Sequence, residues 1–263
     1  MAEAIEIVIV ASAFGVNAVR ADGHLKWART ARRAGAAGFE VRRELFASDA
    51  EADPQPLRAL GAALADLGLW SVLSTPASLY TADGRLDTDA LRLALGEAAA
   101  LGARFVKLQL GGFAGEADGA AIAAQLASGT DAAHGSPRLV VENGQLAQGG
   151  SPAQFVGLFE ALAREGRADL LGMTFDTGNW AWLGLAPLPI APQLAPYVEY
   201  IHCKTTTGEG ARRFAVAPAD NDAQFRALLE CLPRDVPRGI EFPFDANRID
   251  AEAARYVSWL AQA

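Results

Sequence analysis

Four side chains that can bind a metal ion or transfer a proton lie near the ends of four successive apolar segments. They are Glu142, Asp176, His202 and Glu241. Glu142 directly follows the apolar residues 139–141, and burying a lone carboxylate at the end of a strand costs several kcal/mol unless another group pairs with it. We therefore expect Glu142 to have a partner, and the other three side chains are the candidates.

The four side chains comprise three carboxylates and one imidazole. Oxygen-rich ligand sets suit Mg²⁺ or Mn²⁺, and an imidazole shifts the preference towards Mn²⁺, Co²⁺ or Zn²⁺. A closed structural zinc site would contain thiolates. We therefore predict an open catalytic site for one divalent ion, with Mn²⁺ or Mg²⁺ as first choice. An octahedral ion with four protein ligands has two further positions, which two adjacent oxygens of a polyol or hydroxy-ketone could fill.

Each residue also has a simpler interpretation. Asp176 precedes a Thr-Gly pair and could form only an Asx turn. His202 could be a hydrogen-bonded core histidine, and Glu142 could cap a helix or pair with a lysine. Four such coincidences at four successive strand ends would be rare, so the joint pattern favours one shared site.

Eight apolar segments rich in β-branched residues alternate with helical segments along the chain. The predicted strands cover residues 5–10, 39–45, 69–74, 104–110, 139–142, 171–176, 198–204 and 239–242. Alternation of this kind implies a parallel sheet, and eight units in about 260 residues are typical of a (β/α)8 TIM barrel. We therefore predict an α/β protein with one TIM-barrel domain over residues 1–263. The alternative is an open doubly wound sheet, but residues 11–15 lack its glycine-rich turn.

A barrel would bring the four side chains together. Catalytic groups of such barrels lie at the carboxyl ends of the strands, and neighbouring strands are ~4.8 Å apart. On the seventh strand, alternation places Tyr200, His202 and Lys204 on the inner face, with Ile201 and Cys203 facing the helices. Two later segments are less regular: residues 180–196 have only a weak helical pattern, and residues 205–220 are predicted to be a polar loop.

The composition restricts the classes of function. The 263 residues are 51% hydrophobic and carry a formal net charge of -8, with a mean hydropathy of +0.12 and a pI near 5.0. An acidic protein is a poor partner for nucleic acid or an anionic membrane. Cys203 and Cys231 provide no disulfide framework, and neither a signal-peptide pattern nor a membrane-spanning segment is present. We therefore expect a cytoplasmic protein that binds neither nucleic acid nor membrane.

Five short motifs resemble the xylose isomerase-like TIM-barrel superfamily of sugar isomerases and epimerases. Its members include ketose 3-epimerases, hydroxypyruvate isomerases, inosose dehydratases and the endonuclease IV repair enzymes. The motifs are Gly38-Phe-Glu-Val-Arg-Arg-Glu44, Val140-Val-Glu-Asn143, Thr174-Phe-Asp-Thr-Gly178, Tyr200-Ile-His-Cys-Lys204 and Gly239-Ile-Glu241. The resemblance extends over nearly the whole chain. The three histidines are too few for a trinuclear zinc site of the endonuclease type.

The resemblance implies that Glu142, Asp176, His202 and Glu241 bind one divalent metal ion. It also implies that Glu142 and Glu241 are the catalytic acid/base pair. One would remove the proton on the carbon next to the substrate carbonyl, and the other would return a proton through an enediolate. Positioned proton transfer of this kind contributes ~10²–10⁴-fold to a rate.

Two positions depart from the pattern of the superfamily. Where relatives often have a histidine three residues after the strand-six aspartate, this chain has Asn179, and Thr205 replaces the usual acidic residue after the strand-seven lysine. Asn179 can bind a sugar hydroxyl but cannot act as an acid. Lys107, Gln109 and Lys204 are the other predicted substrate-binding residues, although each lysine could instead form a salt bridge, Lys107 with Glu40 and Lys204 with a strand-end carboxylate.

These observations predict a metal-dependent isomerase or epimerase of a small sugar or hydroxy-ketone. A lyase that dehydrates a keto-sugar or keto-inositol is the first alternative, because the same proton abstraction can precede loss of a β-hydroxyl. A barrel that binds a sugar without turnover is the second, and Asn179 gives it weight. The expected partner is a small carbohydrate, and a homo-oligomer is compatible with the sequence.

Overall fold

The computed structural model describes residues 4–114, 118–129 and 137–263. Eight parallel strands form a closed barrel in which the last strand pairs with the first. The barrel strands are β1 (Ile7–Val10), β2 (Gly38–Arg42), β3 (Trp70–Tyr80), β4 (Phe105–Gly111), β5 (Arg138–Glu142), β6 (Gly172–Asp176), β7 (Val198–Cys203) and β10 (Arg238–Ile240). The predicted (β/α)8 TIM barrel is therefore confirmed.

Helices pack on the outside of the barrel. Within the described ranges they are α1 (Val16–Asp22), α2 (His24–Arg33), α3 (Pro54–Asp66), α4 (Thr88–Leu101), α5 (Gly119–Gly129), α6 (Pro152–Arg164), α7 (Ala191–Leu194), α8 (Ala223–Glu230) and α9 (Ile249–Leu260). Local signals set several ends. The carboxylate of Asp87 accepts a hydrogen bond from the N–H of Ala90 at the start of α4, and Gly102 ends the helix in the left-handed conformation with a φ of 69°. None of the described helices is both long and apolar enough to cross a membrane.

Strand alternation separates an inner and an outer core. The floor of the barrel interior is a small cluster of Val8, Val72, Phe105, Val140 and Tyr200. Ile201 and Cys203 belong instead to the large outer core under the helices, as the alternation on β7 predicts. Polar side chains follow above the floor, towards the carboxyl ends of the strands. The barrel therefore has an apolar base that supports a polar mouth.

The interior is tight where β10 meets β7. Gly239 pairs with His202, and a Cβ atom added to Gly239 would lie 2.3 Å from the hydroxyl oxygen of Tyr200. No real Cβ approaches an oxygen so closely, so only glycine leaves room for the tyrosine. The sequence pattern shows a glycine here but not the reason for it.

Three segments differ from the sequence predictions. Strand β3 continues past Ser74 to Tyr80, with a shift of its register against β4 between Ser74 and Ser78. The predicted polar loop 205–220 contains an antiparallel hairpin of β8 (Thr205–Thr207) and β9 (Phe214–Val216). The weakly helical segment 180–196 contains two 3-10 turns, Asn179–Leu183 and Ala195–Tyr197, and the single turn α7.

Candidate metal centre and mouth of the barrel

The four side chains singled out in the sequence meet at the mouth of the barrel. Glu142 and Asp176 end β5 and β6, His202 lies near the end of β7, and Glu241 follows β10. Each offers one ligand atom, and these atoms all lie within 4.8 Å of one another. Parallel strands in register explain the convergence, because Asp176 pairs directly with His202 and all four side chains point inward.

The imidazole of His202 faces the three carboxylates. Its Nδ1 atom is 2.7 Å from Oε1 of Glu142, 3.2 Å from Oε2 of Glu241 and 3.8 Å from Oδ2 of Asp176. Three of these buried atoms, Nδ1, Oε1 of Glu142 and Oδ2 of Asp176, lack a hydrogen-bond partner in suitable geometry among the described residues. Buried polar atoms are normally satisfied. Three carboxylate oxygens and an imidazole nitrogen aimed at one point fit a divalent cation.

The second nitrogen of the imidazole is fixed by Glu40, a carboxylate that the sequence reasoning considered only as a partner of Lys107. Nε2 of His202 lies 2.7 Å from Oε2 of Glu40, and the Tyr200 hydroxyl donates a hydrogen bond to the same oxygen at 3.0 Å. Glu40 is fully buried. A carboxylate on the far nitrogen sets the tautomer and orientation of a metal-binding histidine. Glu40 therefore holds Nδ1 towards the three carboxylates.

The two carboxylate oxygens of Asp176 have different surroundings. Its Oδ1 atom accepts hydrogen bonds from the N–H groups of Gly178 and Asn179, both at 2.8 Å, which is the Asx turn considered in the sequence. The side chain of Asn143 brackets the backbone of Asp176, donating to its carbonyl and accepting from its N–H. The turn thus fixes the aspartate, while Oδ2 lies 2.7 Å from Nζ of Lys204 and 3.8 Å from Nδ1 of His202. The two interpretations of Asp176 are compatible.

Arg42 is a second residue of the mouth that sequence reasoning missed. Its Nη1 atom lies 2.6 Å from Oε1 of Glu241, and its Nε donates to Glu44 at 2.8 Å. Alternation on β2 places Glu40 and Arg42 on the same inner face, which was the available signal. The sequence did not show which strands face β2 in the closed barrel, and it is closure that brings Arg42 of β2 to Glu241 after β10.

Lys107 and Lys204 both form salt bridges, which was the alternative to substrate binding considered in the sequence analysis. Lys107 is fully buried and contacts Oε2 of Glu142, whereas Glu40, its expected partner, is 3.8 Å away. The pairing of Lys107 with Glu40 is therefore the weaker of its two contacts. Lys204 lies 2.6 Å from Glu241 and 2.7 Å from Asp176. Both lysines neutralise carboxylates of the candidate centre.

The charges set the protonation of the carboxylates. Burial favours the neutral acid of Glu142, but the charges of Lys107 and His202 outweigh it and hold its pKa well below the ordinary value. Burial acts on Glu241 in the same way and is outweighed by Lys204 and His202, so its pKa is also well below the usual range. Asp176 differs, because burial raises its pKa to about 7 against the opposing charge of Lys204. Both glutamates are therefore ionised at neutral pH.

A cavity of about 380 Å³ opens above the four side chains. Polar groups dominate its wall, among them Arg42, Lys204 and four carboxamides, which are Gln109, Gln145, Gln148 and Asn179. Gln109 donates to Oε2 of Glu142 at 2.9 Å, and the amide of Asn179 donates to the carbonyl of Asn143 and accepts from Gln145. Of the predicted substrate-binding residues, Gln109, Asn179 and Lys204 line this cavity, and Lys107 lies beneath it.

Two residues close in sequence to the candidate ligands, Trp180 and Cys203, lie away from the cavity surface. Trp180 is fully buried and packs against Phe155 and Phe175, so it contributes to the core and does not present a stacking surface. Cys203 is buried on the helix-facing side, where burial raises the pKa of its thiol to about 12. Such a thiol stays protonated at neutral pH.

Comparisons with known proteins agree with the barrel. A family model described as xylose isomerase-like TIM barrel matches residues 28–254. A xylose isomerase domain-containing protein from Salmonella typhimurium LT2 superposes with a TM-score of 0.68 and 16% identity, covering 99% of this chain and 98% of that one. D-allulose 3-epimerase from Methylomonas sp., solved with D-allulose, superposes with a TM-score of 0.65 and 16% identity, covering 99% of this chain and 97% of that one. For a probable 3-DHS dehydratase from Bacillus anthracis, the TM-score is 0.65 and the identity 12%, with 97% of this chain and 98% of that one covered.

A search of curated proteins finds no match to this chain. The likenesses to solved structures, all at low identity, show the fold. The family model spans most of the barrel, from α2 into α9. The chain belongs to the xylose isomerase-like TIM barrel family.

Proposed function

We propose that this chain is a divalent-metal-dependent isomerase or epimerase of a small sugar or hydroxy-ketone. The observation that carries the proposal is the convergence of four possible ligand atoms, from Glu142, Asp176, His202 and Glu241, all within 4.8 Å of one another. Structural neighbours of the family include D-allulose 3-epimerase and 3-keto-D-glucoside 4-epimerase, which supports a substrate of this class.

The four residues Glu142, Asp176, His202 and Glu241 would hold the ion. Three carboxylates with one imidazole favour Mn²⁺ or Mg²⁺, and the imidazole also allows Co²⁺ or Zn²⁺. When bound, the cation would supply Lewis-acid polarisation of a substrate carbonyl and the neighbouring hydroxyl. Glu40 keeps Nδ1 of His202 available, because it occupies the other nitrogen.

Glu142 and Glu241 are the proposed acid/base pair. Both are ionised, since Lys107 neutralises Glu142 from below and Lys204 neutralises Glu241. One carboxylate removes the proton on the carbon beside the substrate carbonyl. A proton taken up from solvent is returned by way of the other carboxylate to the opposite face or to the neighbouring carbon, and the first carboxylate then releases its proton to solvent. Such proton transfer adds ~10²–10⁴-fold. Arg42 restrains Glu241 from its second oxygen and so fixes its direction.

The carboxamides of the cavity wall are proposed to bind the substrate hydroxyls. The side chain of Asn179 is oriented by two hydrogen bonds, one donated to the carbonyl of Asn143 and one accepted from the amide of Gln145. As an amide it can bind a hydroxyl but cannot transfer a proton. Gln148 and Gln109 lie on the same wall. Neutral amides both donate and accept hydrogen bonds, which suits a polyhydroxylated, uncharged chain.

Incubation of the Mn²⁺-loaded protein with a panel of ketoses and hydroxy-ketones in D₂O tests the proposal. We expect an isomer with one deuterium at the exchanged carbon, lost in Glu142→Gln and Glu241→Gln and after chelation. A product lighter by one water would establish a lyase instead. Binding of a panel sugar with neither deuterium uptake nor conversion would contradict the enzyme and favour a sugar-binding barrel.

A further inference from the structure

A second large cavity lies at the opposite end of the barrel from the mouth. It has a volume of about 580 Å³ and lies between α8, α9 and the start of β10. Three arginines line it, Arg226 from α8, Arg234 from the loop after α8, and Arg238 at the first position of β10. Because Gly239 and Glu241 face inward, Arg238 faces outward to the helices. The cavity is therefore separate from the four side chains of the mouth.

Arg238 is a buried cation with no side-chain carboxylate within 4.0 Å among the described residues. Its side chain is 2% exposed, and one terminal nitrogen donates to the backbone oxygens of Leu260 at 3.0 Å and Ala263 at 2.8 Å. Its Nε atom is buried and has no hydrogen-bond partner in the described ranges of the chain. Burial lowers the pKa of Arg238, and the nearby charge of Arg234 lowers it further. A buried guanidinium with an unused donor is costly unless an anion balances it.

The remaining charges of the lining do not balance it. Arg226 donates only to the backbone oxygen of Asp220, and neither it nor Arg234 forms an ion pair within the described part of the chain. Glu230 is the one acidic side chain of the wall, and it too forms no ion pair there. Three guanidiniums thus oppose one side-chain carboxylate, and the wall stays cationic even if the oxygen of Ala263 belongs to a carboxylate. This is the reverse of the whole chain, whose net charge is -8.

The rest of the wall is apolar. Ile5, Leu229 and Trp259 line the cavity, and Trp259 is held by stacking on Phe225 at a ring separation of 5.8 Å. The volume is much larger than one tetrahedral anion and lies in the range of small-molecule sites. A ligand that fits would carry a compact multivalent anion against the arginines and an uncharged part against the apolar side.

We propose that this cavity is a binding site for a phosphate group, either free or carried by a small metabolite. Guanidinium groups bind phosphate oxygens through paired N–H donors, and several around one cavity match its double charge. Arg238 supplies the buried donor, and Arg226 and Arg234 approach from the rim. The site is independent of the proposed reaction, because none of its residues lines the mouth of the barrel.

Equilibrium dialysis at constant ionic strength tests this site with two probes, inorganic phosphate and glucose 6-phosphate. We expect saturable binding of one phosphate per chain that weakens at least roughly tenfold in the double variant Arg226→Gln, Arg234→Gln, since each charge-assisted hydrogen bond contributes on that order. Both residues are exposed, so the variant keeps the fold. Equal affinity for the two probes assigns the site to free phosphate, and tighter binding of glucose 6-phosphate assigns it to a metabolite.

The matched control is the double variant Arg29→Gln, Arg164→Gln. It removes two exposed arginines from α2 and α6, outside the cavity, and changes the net charge by the same amount. Its phosphate affinity should equal that of the unmodified protein. Absence of saturable binding by both probes would overturn the proposal, as would binding that is unchanged in Arg226→Gln, Arg234→Gln or equally reduced in the control.

Discussion

Replacing Glu40 with glutamine tests how the histidine of the candidate centre is held. Glu40 is fully buried, lies 2.7 Å from Nε2 of His202 and accepts a hydrogen bond from Tyr200 at 3.0 Å. Glutamine keeps the shape and one acceptor oxygen but removes the negative charge. The imidazole then becomes a weaker ligand through Nδ1, although no proposed metal ligand has been changed.

The magnitude follows from the role of such carboxylates. Loss of a carboxylate behind a metal-binding histidine costs 10–100-fold in metal affinity, or about 1.4–2.8 kcal/mol. Because glutamine still accepts a hydrogen bond, we expect the lower end, roughly tenfold. The apoprotein should also lose about 1.5–3 kcal/mol of unfolding free energy, the typical contribution of a hydrogen bond to a charged group.

Competition between the protein and a chromogenic chelator for Mn²⁺ measures the affinity, and urea denaturation of the chelated protein measures the stability. Tyr200→Phe is the control, because it removes one hydrogen bond from Glu40 and leaves the contact between Glu40 and His202 intact. It should reduce the metal affinity less than Glu40→Gln does. An unchanged dissociation constant for folded Glu40→Gln would refute the reasoning that His202 binds metal through an Nδ1 atom set by Glu40.

Two further predictions concern packing and pH. Gly239→Ala should lower the unfolding free energy by about 1–3 kcal/mol in a urea titration, because its Cβ would lie 2.3 Å from the Tyr200 hydroxyl oxygen. Gly96→Ala is the control, because no atom lies within 4 Å of its added Cβ, and it should not destabilise the protein. Burial lowers the pKa of His24 from 6.5 to about 4, against the hydrogen bond from the N–H of Arg42. Between pH 6.5 and 4, His24 is therefore protonated in the unfolded chain but neutral in the folded chain. The free energy of unfolding should fall by about 3 kcal/mol as the pH decreases over this range. This pH dependence should be missing from His24→Leu, and an equal loss in that variant would contradict the assignment to His24.

The sequence was sufficient to predict those features that depend only on neighbouring strands. Alternation along β7 and the apolar run before Glu142 placed the inward side chains correctly, because parallel strands of one barrel have their carboxyl ends at the same rim. The helix ends likewise depend on local signals, such as Gly102 at the end of α4. These inferences need only the period of each element and the order of the elements.

The sequence was not sufficient where a contact spans the barrel. Glu40 lies 162 positions from His202, and nothing in β2 alone shows that its carboxylate meets an imidazole of β7. The salt bridge of Arg42 to Glu241 has the same origin. The hairpin of β8 and β9 was missed for another reason, since three threonines next to a glycine-rich loop have the composition of a turn. Local pattern therefore predicts the elements, and closure of the barrel decides the partners.

Elemental analysis of the purified protein tests the central claim most directly, with chelator-dependent melting as the accompanying readout. We predict about one divalent ion per chain, Mn²⁺ or Mg²⁺ in first place, and a lower melting temperature after chelation because the ion binds only the folded state. Glu142→Gln combined with His202→Ala should lose the ion. An unchanged metal content in that folded double variant, or no bound divalent ion after dialysis of the unmodified protein against Mn²⁺, would contradict the account.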